Sequence, residues 1–325
     1  MNHEGLIKRT GAYKIIAGDK GCGTLSHAYL VLTSDEKYLR EYMRLFARLI
    51  TCPESNTECG VCRTCKLVTD EKFTDVKFIP EHEGDKIVVE DIEELIEDSF
   101  TKPFEGDKKL YVICGAEQMT VAAQNKLLKT LEEPPKGVHI LLGATSEYPL
   151  LQTVKSRVKM LTIPPFSNEV LFEELKGELT DIARLKQAIA GGDGTIGRVE
   201  VLYGDDKLEK LTALATDIII NMKSSKDVLG FSTKVIKYKD RLEEFIGVMQ
   251  LLFRDMLIEF EGGTVWNESS RGLLGKTQGF TEGAIINALE KTAEAIKRIS
   301  FNVNDVMLID WLLFAVLEGK YKWQK

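Results

Sequence analysis

Residues 110–142 read LYVICGAEQMTVAAQNKLLKTLEEPPKGVHILL, and this stretch decides the fold class. Its first five residues, Leu110–Cys114, form an apolar run with the length of a buried strand. Thr120 can cap a following helix, which must end at Pro134-Pro135, and the apolar run Val138–Leu142 predicts a second strand. Because a helical crossover makes two strands parallel, the stretch predicts an α/β fold with a parallel sheet.

The same alternation extends to both sides of this stretch. Three more apolar runs predict strands at Ala28–Leu32, Val76–Ile79 and Val158–Ile163. Segments with apolar residues at helical spacing lie between them, at Asp35–Ile50 and Val89–Phe100. We therefore expect one doubly wound parallel sheet, whose pattern ends at Pro164-Pro165.

The rest of the chain is predicted to be helical. Short helices are expected around the glycine-rich turn Gly191–Gly194 as far as Tyr203, and longer ones from Asp205 onward. One of them carries an apolar stripe formed by Ile285, Ile286, Leu289, Ala293 and Ile296. Asn304 can cap a last helix, Met307–Leu317, which is apolar on nearly every side and must be buried in its own domain or against other subunits.

The 325-residue chain has an ordinary globular composition, with 44% hydrophobic and 29% charged residues. No apolar stretch is long enough to span a bilayer, and Met1–Thr10 has no apolar signal core, so we expect a cytoplasmic location without membrane contact. The formal net charge is −7, whereas proteins that hold DNA over a large surface are usually basic. Any contact with DNA is therefore expected to be local or to be made through partners.

Four of the six cysteines, Cys52, Cys59, Cys62 and Cys65, fall within fourteen residues. Four thiolates with such short gaps can reach one ion, and zinc takes such a tetrahedral set at about 2.3 Å. Because all four positions are sulfur, none stays open for water, and the predicted zinc site is structural. Two other interpretations are open. An iron–sulfur cluster would need redox partners that the sequence does not indicate, and four unrelated buried thiols would not account for this density.

A phosphate-binding loop is missing where the fold would place one. Such a loop follows a strand, contains two glycines and a lysine, and opens a helix. The segment after the first strand, Thr33–Arg40, contains no glycine, and its Asp35 and Glu36 would repel a triphosphate. Gly18 and Gly23 have the glycine spacing, but they precede the strand and lack the lysine, so we interpret them as a flexible turn.

The acidic residues that would hold magnesium and orient water are missing as well. An ATPase needs them at the end of a neighbouring strand. Here Leu110–Cys114 is followed by Gly115-Ala116-Glu117. Since two independent parts of an ATPase site are absent, we expect the isolated chain neither to bind nor to hydrolyse ATP.

Several motifs stand in a fixed order along the first half of the chain. They are His27–Leu30, the cysteine cluster, Asn125–Pro135, Ala144-Thr145 and Ser156-Arg157. Together they resemble the AAA+ subunits of the bacterial DNA polymerase III clamp loader, and the run Leu127–Pro135 is the most specific piece. The resemblance is strong over residues 24–165. It is looser beyond, where Asn302-Val303-Asn304 before an apolar helix is similar to the family's collar.

The resemblance implies a more detailed architecture. Residues 1–163 would form a RecA-like AAA+ domain with the zinc knuckle inserted at residues 52–65. Residues 164–205 would form a small helical lid, and residues 206–325 an all-α collar for oligomerisation.

The resemblance also implies a type of subunit. In this family the tau/gamma subunit keeps the phosphate loop and the acidic pair, and the delta-prime subunit can lack them. The loop Thr33–Arg40, and Cys114-Gly115 in place of the family's Asp-Glu, resemble the delta-prime type. The first gap of the knuckle has six residues where relatives often have eight, which still allows four ligands to close on one ion.

Three residues receive roles from the resemblance. Ser156-Arg157 matches the family's Ser-Arg-Cys motif, with Val158 in place of the cysteine, so Arg157 would act in trans as an arginine finger on a neighbour's ATP. The alternative for Arg157 is a surface salt bridge. Thr145 falls at the first sensor position, where only a structural role is expected without ATP. Arg198 resembles the second sensor or, equally, a solvated helix charge.

The implied function is that of a subunit that binds no nucleotide itself. Its partners would be delta and three tau/gamma copies in a hetero-pentamer. That assembly opens the sliding clamp and places it on primed DNA with ATP bound by other subunits. The chain would meet the clamp indirectly and the DNA through the complex, as part of the DNA polymerase III holoenzyme.

Two alternatives are open at this point. An ATP-hydrolysing loader subunit of the tau/gamma type would bind ATP. A zinc-knuckle DNA-binding protein, which belongs to a different class, would bind duplex DNA tightly and in a salt-sensitive way, although the charge of −7 argues against it.

Overall fold

The computed structural model describes residues 3–53, 57–82, 85–267, 270–277, 279–299, 301 and 303–322. The chain divides after Phe166 into two compact units. The first contains the parallel sheet and its helices, and the second is entirely helical over its described residues. The fold class predicted from the sequence, an α/β sheet domain followed by an all-helical part, is confirmed.

Five parallel strands form the sheet of the first unit. They are β1 (Ala28–Thr33), β2 (Val76–Ile79), β3 (Lys109–Cys114), β4 (Val138–Ala144) and β5 (Lys159–Ile163). Their order in the sheet is β2-β3-β4-β1-β5, and every neighbouring pair is parallel. Each of the five apolar runs in the sequence therefore becomes a strand, with bounds that differ by two residues at most.

Strand β1 pairs with β4 on one side and β5 on the other, which brings the functional segments together at one edge of the sheet. In β1, Leu30 lies opposite Leu142 of β4 on one side and Met160 of β5 on the other. The carboxyl ends of β1, β3 and β4 therefore lie side by side. The segments that follow these strands, where α/β proteins place their ligand sites, meet at this edge.

Seven α-helices accompany the sheet in the part of the first unit that the structure describes. They are α1 (Glu4–Ile7), α2 (Gly11–Gly21), α3 (Leu39–Thr51), α4 (Arg63–Thr69), α5 (Val89–Ser99), α6 (Val121–Glu132) and α7 (Gln152–Lys155). Thr120 caps α6 as predicted, because its hydroxyl accepts the N–H of Ala123. Two predictions need correction. The helix expected from Asp35 begins at Leu39, and Gly18, interpreted as part of a flexible turn, lies inside α2.

Close packing of α3 on β4 fixes where α3 begins. Gly143 in β4 has no side chain, and a Cβ atom there would lie 2.6 Å from the Met43 sulfur in α3. Leu39, the first residue of α3, packs at the same place, with its Cδ1 atom 3.1 Å from that Cβ position, so the start of α3 lies against β4. A larger residue at position 143 would push α3 away from the strand ends.

Over its described residues, the second unit contains nine α-helices. They are α8 (Asn168–Leu175), α9 (Ile182–Gly191), α10 (Ile196–Gly204), α11 (Asp206–Asn221), α12 (Ser225–Val235), α13 (Leu242–Phe260), α14 (Leu273–Lys276), α15 (Glu282–Ile299) and α16 (Asp305–Lys322). The segment predicted as a collar lies within this unit, and so does the predicted lid except for its residues 164–166, which belong to the first unit. The division between lid and collar stays a prediction. Within the described part of the chain, every helix is too short or too polar to cross a membrane.

The last two long helices follow the predicted pattern with one exception. Asn304 caps α16, because its side-chain oxygen accepts the N–H of Met307, while Asn302 lies outside the described residues. Leu308, Leu312 and other apolar residues of α16 are buried in the helical core, as expected. In α15, Ile285 is buried but Ile286 is exposed, so the true buried line is rotated from the predicted stripe.

Candidate functional site

The four clustered cysteines form the candidate metal centre. Cys52 directly follows α3, Cys62 precedes α4, and the four sulfurs all lie within 4.8 Å of one another. The Cys59 and Cys65 sulfurs are 4.0 Å apart, which is far beyond a disulfide bond. It is close to the separation of about 3.8 Å between sulfurs that each lie about 2.3 Å from a tetrahedral ion. The donor set thus fits one metal ion with four thiolate ligands.

Backbone N–H groups point at these sulfurs. The Cys62 amide donates to the Cys59 sulfur at 3.2 Å, and the Cys65 amide donates to the Cys62 sulfur at 3.3 Å. Hydrogen bonds from the backbone, first from Val61 and then from Cys62, lower the pKa of the Cys59 thiol to about 7. Burial instead raises the pKa of the Cys65 thiol. A metal ion must therefore displace a proton at Cys65, whereas the thiolate at Cys59 is already favoured.

The knuckle is attached to the N-terminal helices by a buried carboxylate. Glu58, which precedes Cys59, has a side chain that is only 1% exposed, with Lys8 2.6 Å away and a hydrogen bond from the Tyr13 hydroxyl. Burial raises the pKa of Glu58, but the bonds from Lys8 and Tyr13 outweigh it and bring the pKa below its usual value. In addition, Lys20 donates to the carbonyl of Cys52 at 2.7 Å.

These anchors give the knuckle a structural character. Its loop packs into its own domain through Glu58, instead of standing free in solvent. Sequence reasoning missed Glu58, because its partners lie 45 or more residues away and no spacing rule connects them.

The side-chain carboxylate of Asp35 lies between the carboxyl end of β1 and the start of α3. Asp35 is 4% exposed and accepts hydrogen bonds from the Tyr38 amide at 3.4 Å and the Tyr42 hydroxyl at 3.2 Å. Burial and, next, the Asp35 charge raise the pKa of Tyr42, which keeps its hydroxyl a donor. The start of a helix attracts anions, and here that anion is a side chain of this chain.

Arg40, a buried cation in the first turn of α3, is already paired. Arg40 is 5% exposed, and its Nε donates to Glu71 Oε1 at 2.8 Å. Its Nη1 and Nη2 donate to the carbonyls of Pro80 and Glu81 at 3.0 and 2.9 Å. The charge of Arg40 is therefore engaged by the protein.

The neighbouring strand ends are closed by a second internal contact. Thr145, at the end of β4, donates to Glu117 Oε1 from both its amide, at 3.1 Å, and its hydroxyl, at 2.5 Å. Between these segments lies a cavity of about 320 Å³. Its lining includes the carboxylates of Glu36, Asp85 and Glu117, and also Arg40, whose guanidinium is bound to Glu71. A triphosphate would meet carboxylates here instead of an amide cradle.

Arg157 lies on the surface, just after the short helix α7. Its side chain is 32% exposed, and Nη2 is 2.6 Å from Glu132 Oε1 at the end of α6. Nη1 donates to the carbonyl of Thr153 at 2.8 Å and to the hydroxyl of Ser156 at 3.2 Å. The surface salt bridge that was the alternative interpretation is thus present, and it leaves the arginine accessible.

A buried amide fixes the position of this short helix. Gln124 in α6 is 1% exposed and donates to the carbonyls of Met119 and Pro149, each at 3.1 Å. Its side-chain oxygen accepts the amide of Leu151, which precedes α7, at 2.7 Å. The sequence carried no signal for this role, because a glutamine within a helix usually faces solvent.

Arg198 lies in the second unit, near the start of α10. Its Nε donates to the carbonyl of Gly191 at 3.1 Å and is 3.2 Å from Asp193 Oδ2. It lines a cavity of about 570 Å³ within the helical unit. Its role as a second sensor stays a prediction.

Comparisons with known proteins agree with this arrangement. A family model described as DNA polymerase III, delta subunit, matches residues 10–167. The chain is 26% identical over 305 residues to DNA polymerase III subunit delta' of Bacillus subtilis (strain 168), which covers 91% of this chain and 92% of the relative. It is 30% identical over 161 residues to subunit delta' of Haemophilus influenzae, covering 49% of each.

A tau subunit is similar as well. DNA polymerase III subunit tau of Escherichia coli (strain K12) is 30% identical over 283 residues, with 78% of this chain and 43% of the relative covered. The chain therefore spans about half or less of two of these three relatives.

These similarities support a clamp-loader protein of bacterial DNA polymerase III. More narrowly, they support a delta-prime-like protein, since a relative matched over nearly the whole of both chains is a delta-prime subunit.

Proposed function

We propose that this chain is a clamp-loader subunit of the delta-prime type that binds no ATP and assists loading of the sliding clamp on primed DNA. The observation that carries the proposal is the buried Asp35 carboxylate at the approach to α3. A subunit that used ATP would need free amides and a lysine there. The acidic lining of the cavity supports the same conclusion.

In this proposal, Arg157 is the residue through which the chain contributes to ATP hydrolysis. A guanidinium offers a planar fork to phosphate oxygens and stabilises the charge of the phosphoryl-transfer transition state. Arg157 is accessible, and α7 is held in place by the buried Gln124. An arginine of this kind can reach ATP bound by a neighbouring subunit without any nucleotide site of its own.

Zinc is the metal that best suits the knuckle. Four thiolates prefer zinc or an iron–sulfur cluster, and the sulfur separation of 4.0 Å suits a single ion. With four protein ligands the ion would hold the loop between α3 and α4, and would have no open position for catalysis.

Membership of a hetero-oligomer is part of the proposal. The partners would be delta and tau/gamma subunits in a pentamer with three tau/gamma copies, with the clamp reached indirectly and DNA through the complex. Helix α16 supports such packing, since Met307, Phe314 and Tyr321, spaced by seven residues, expose 70%, 40% and 58% of their area. The predicted lid at residues 164–205 and collar at residues 206–325 belong to the same proposal.

Reconstitution tests this function. The chain is mixed with delta and tau/gamma subunits, the complex is weighed by native mass spectrometry, and clamp loading on primed DNA is measured with and without the chain. We expect a hetero-pentamer that contains one copy of this chain and loads the clamp faster than the mixture without it. Failure to enter the complex would contradict the proposal. Tight duplex binding by the isolated chain would favour a DNA-binding protein instead.

A further inference from the structure

The guanidinium of Arg157 is bound to its own subunit at three points. Nη1 donates to Thr153 and Ser156, and Nη2 is paired with Glu132 at 2.6 Å. Thr153 and Ser156 lie in or next to α7, so they travel with the arginine. Glu132 is different, because it belongs to another helix and contributes a full negative charge.

Glu132 stands at a place that favours cations. It is the last residue of α6, where the free carbonyls of the helix carry a partial negative charge. Pro134-Pro135 follows and ends the helix, and Gln124 ties α6 to the segment before α7. The carboxylate is therefore held on a fixed support, while the arginine has a long and flexible stem.

We propose that Glu132 is a positioning residue that retains Arg157 on its own subunit until a neighbour's nucleotide competes for the guanidinium. This inference rests on the proposed function, in which Arg157 reaches a phosphate in trans. To do so, the guanidinium must exchange the Glu132 carboxylate for phosphate oxygens. While Arg157 is paired with Glu132, the guanidinium cannot promote hydrolysis by the neighbour. ATP that is correctly bound next to this subunit displaces the carboxylate and frees the guanidinium.

The strength of the ion pair limits the size of the effect. The side chains of Arg157 and Glu132 are 32% and 48% exposed, and exposed ion pairs contribute at most about 1 kcal/mol. This corresponds to about a five-fold change in rate.

The test compares Glu132→Gln with Glu133→Gln in the reconstituted complex. Both residues are exposed neighbours in one motif, and both changes remove one negative charge. Only Glu132 is paired with Arg157. We expect Glu132→Gln to raise kcat/KM for ATP hydrolysis without DNA by up to about five-fold at low salt. Glu133→Gln should match the unaltered complex.

Two further readouts separate this role from a merely structural one. The gain from Glu132→Gln should shrink as salt is raised, because exposed charges are screened. It should also vanish when Arg157→Ala is present in the same chain, because Glu132 acts only through that arginine.

Each outcome is decisive. An unchanged or lower rate for Glu132→Gln, or an equal gain for Glu133→Gln, would overturn the inference while the proposed function stands, provided that Arg157→Ala alone slows hydrolysis. If Arg157→Ala leaves hydrolysis unchanged, the finger and the retention by Glu132 are both wrong.

Discussion

Replacing Asp35 by alanine tests how the strand-end turn is held closed. The change removes the acceptor of the Tyr38 amide, which is worth about 0.5–1.5 kcal/mol. It also leaves the Tyr42 hydroxyl, on a side chain 3% exposed, without this partner, at a cost of about 1–3 kcal/mol. We therefore expect the free energy of unfolding of the first unit to fall by about 2–4 kcal/mol. For a unit of this size, that lowers the melting temperature by roughly 5–15 °C.

The chain offers both a matched control and an internal reference for this measurement. Glu36→Ala removes the neighbouring acid, which is exposed, and should change stability by less than about 0.5 kcal/mol. All three tryptophans, Trp266, Trp311 and Trp323, lie beyond residue 166, so tryptophan emission reports on the second unit. Far-UV circular dichroism and calorimetry should reveal an earlier transition in Asp35→Ala that tryptophan emission does not follow.

Two results would refute this reasoning. Equal losses for Asp35→Ala and Glu36→Ala would mean that the hydrogen bonds of Asp35 contribute nothing beyond its charge. Acquisition of ATP binding by Asp35→Ala would mean that this carboxylate alone excludes the nucleotide. We expect no such gain, because the segment Thr33–Arg40 still lacks glycines.

Three further predictions concern the finger, the metal and the second unit. Arg157→Ala should leave the complex assembled but slow hydrolysis at the site it serves by about 10³-fold or more. Lys155→Ala, two residues away, should not slow it, and equal DNA-stimulated ATPase rates for both variants would contradict this. Metal analysis should find one zinc per chain. The variant Cys62→Ser should lose the zinc, and the melting temperature of its first unit should fall. A metal-free folded chain with four titratable thiols would refute the site. Burial lowers the pKa of Lys320 to about 8, so as the pH rises the folded state loses this proton before the unfolded chain does. The free energy of unfolding should therefore rise by up to about 3 kcal/mol between pH 8 and about 10.4. Urea titrations followed by tryptophan emission should detect this rise, and Lys320→Met should abolish it.

The strands were predictable because each is a short apolar run, and four of them, all except the edge strand β5, are buried at all but one position. Such runs need no knowledge of partners to be recognised, and all five became strands. The order of the strands was not predictable from their spacing, since β4 inserts between β1 and β3 only through long-range pairing.

Helix α2 was not predicted, because its sequence gives little indication that it forms a helix with a buried side. It contains Gly11, Gly18 and Gly21, which disfavour a helix, and yet it forms because Tyr13 and Ile16 are buried in the domain. The start of α3 was misplaced for a related reason. Asp35 looks like a helix-starting residue, but its carboxylate closes the preceding turn instead.

The residues of the candidate site also differ in whether the sequence could predict them. The four cysteines were found from their spacing alone, because a local loop brings them together. The contacts of Glu58 with Lys8 and Tyr13, and of Glu132 with Arg157, connect residues that are 25 to 50 positions apart. No periodic pattern encodes such pairs, so only the structure could supply them.

The most direct test of the account is nucleotide binding by the purified chain. Fluorescence anisotropy of a labelled ATP analogue with magnesium is titrated with this chain and, as a positive control, with a tau/gamma subunit. We predict no saturable binding to this chain at concentrations that saturate the control. Micromolar affinity that unlabelled ATP displaces would contradict the central claim and would favour a subunit of the tau/gamma type.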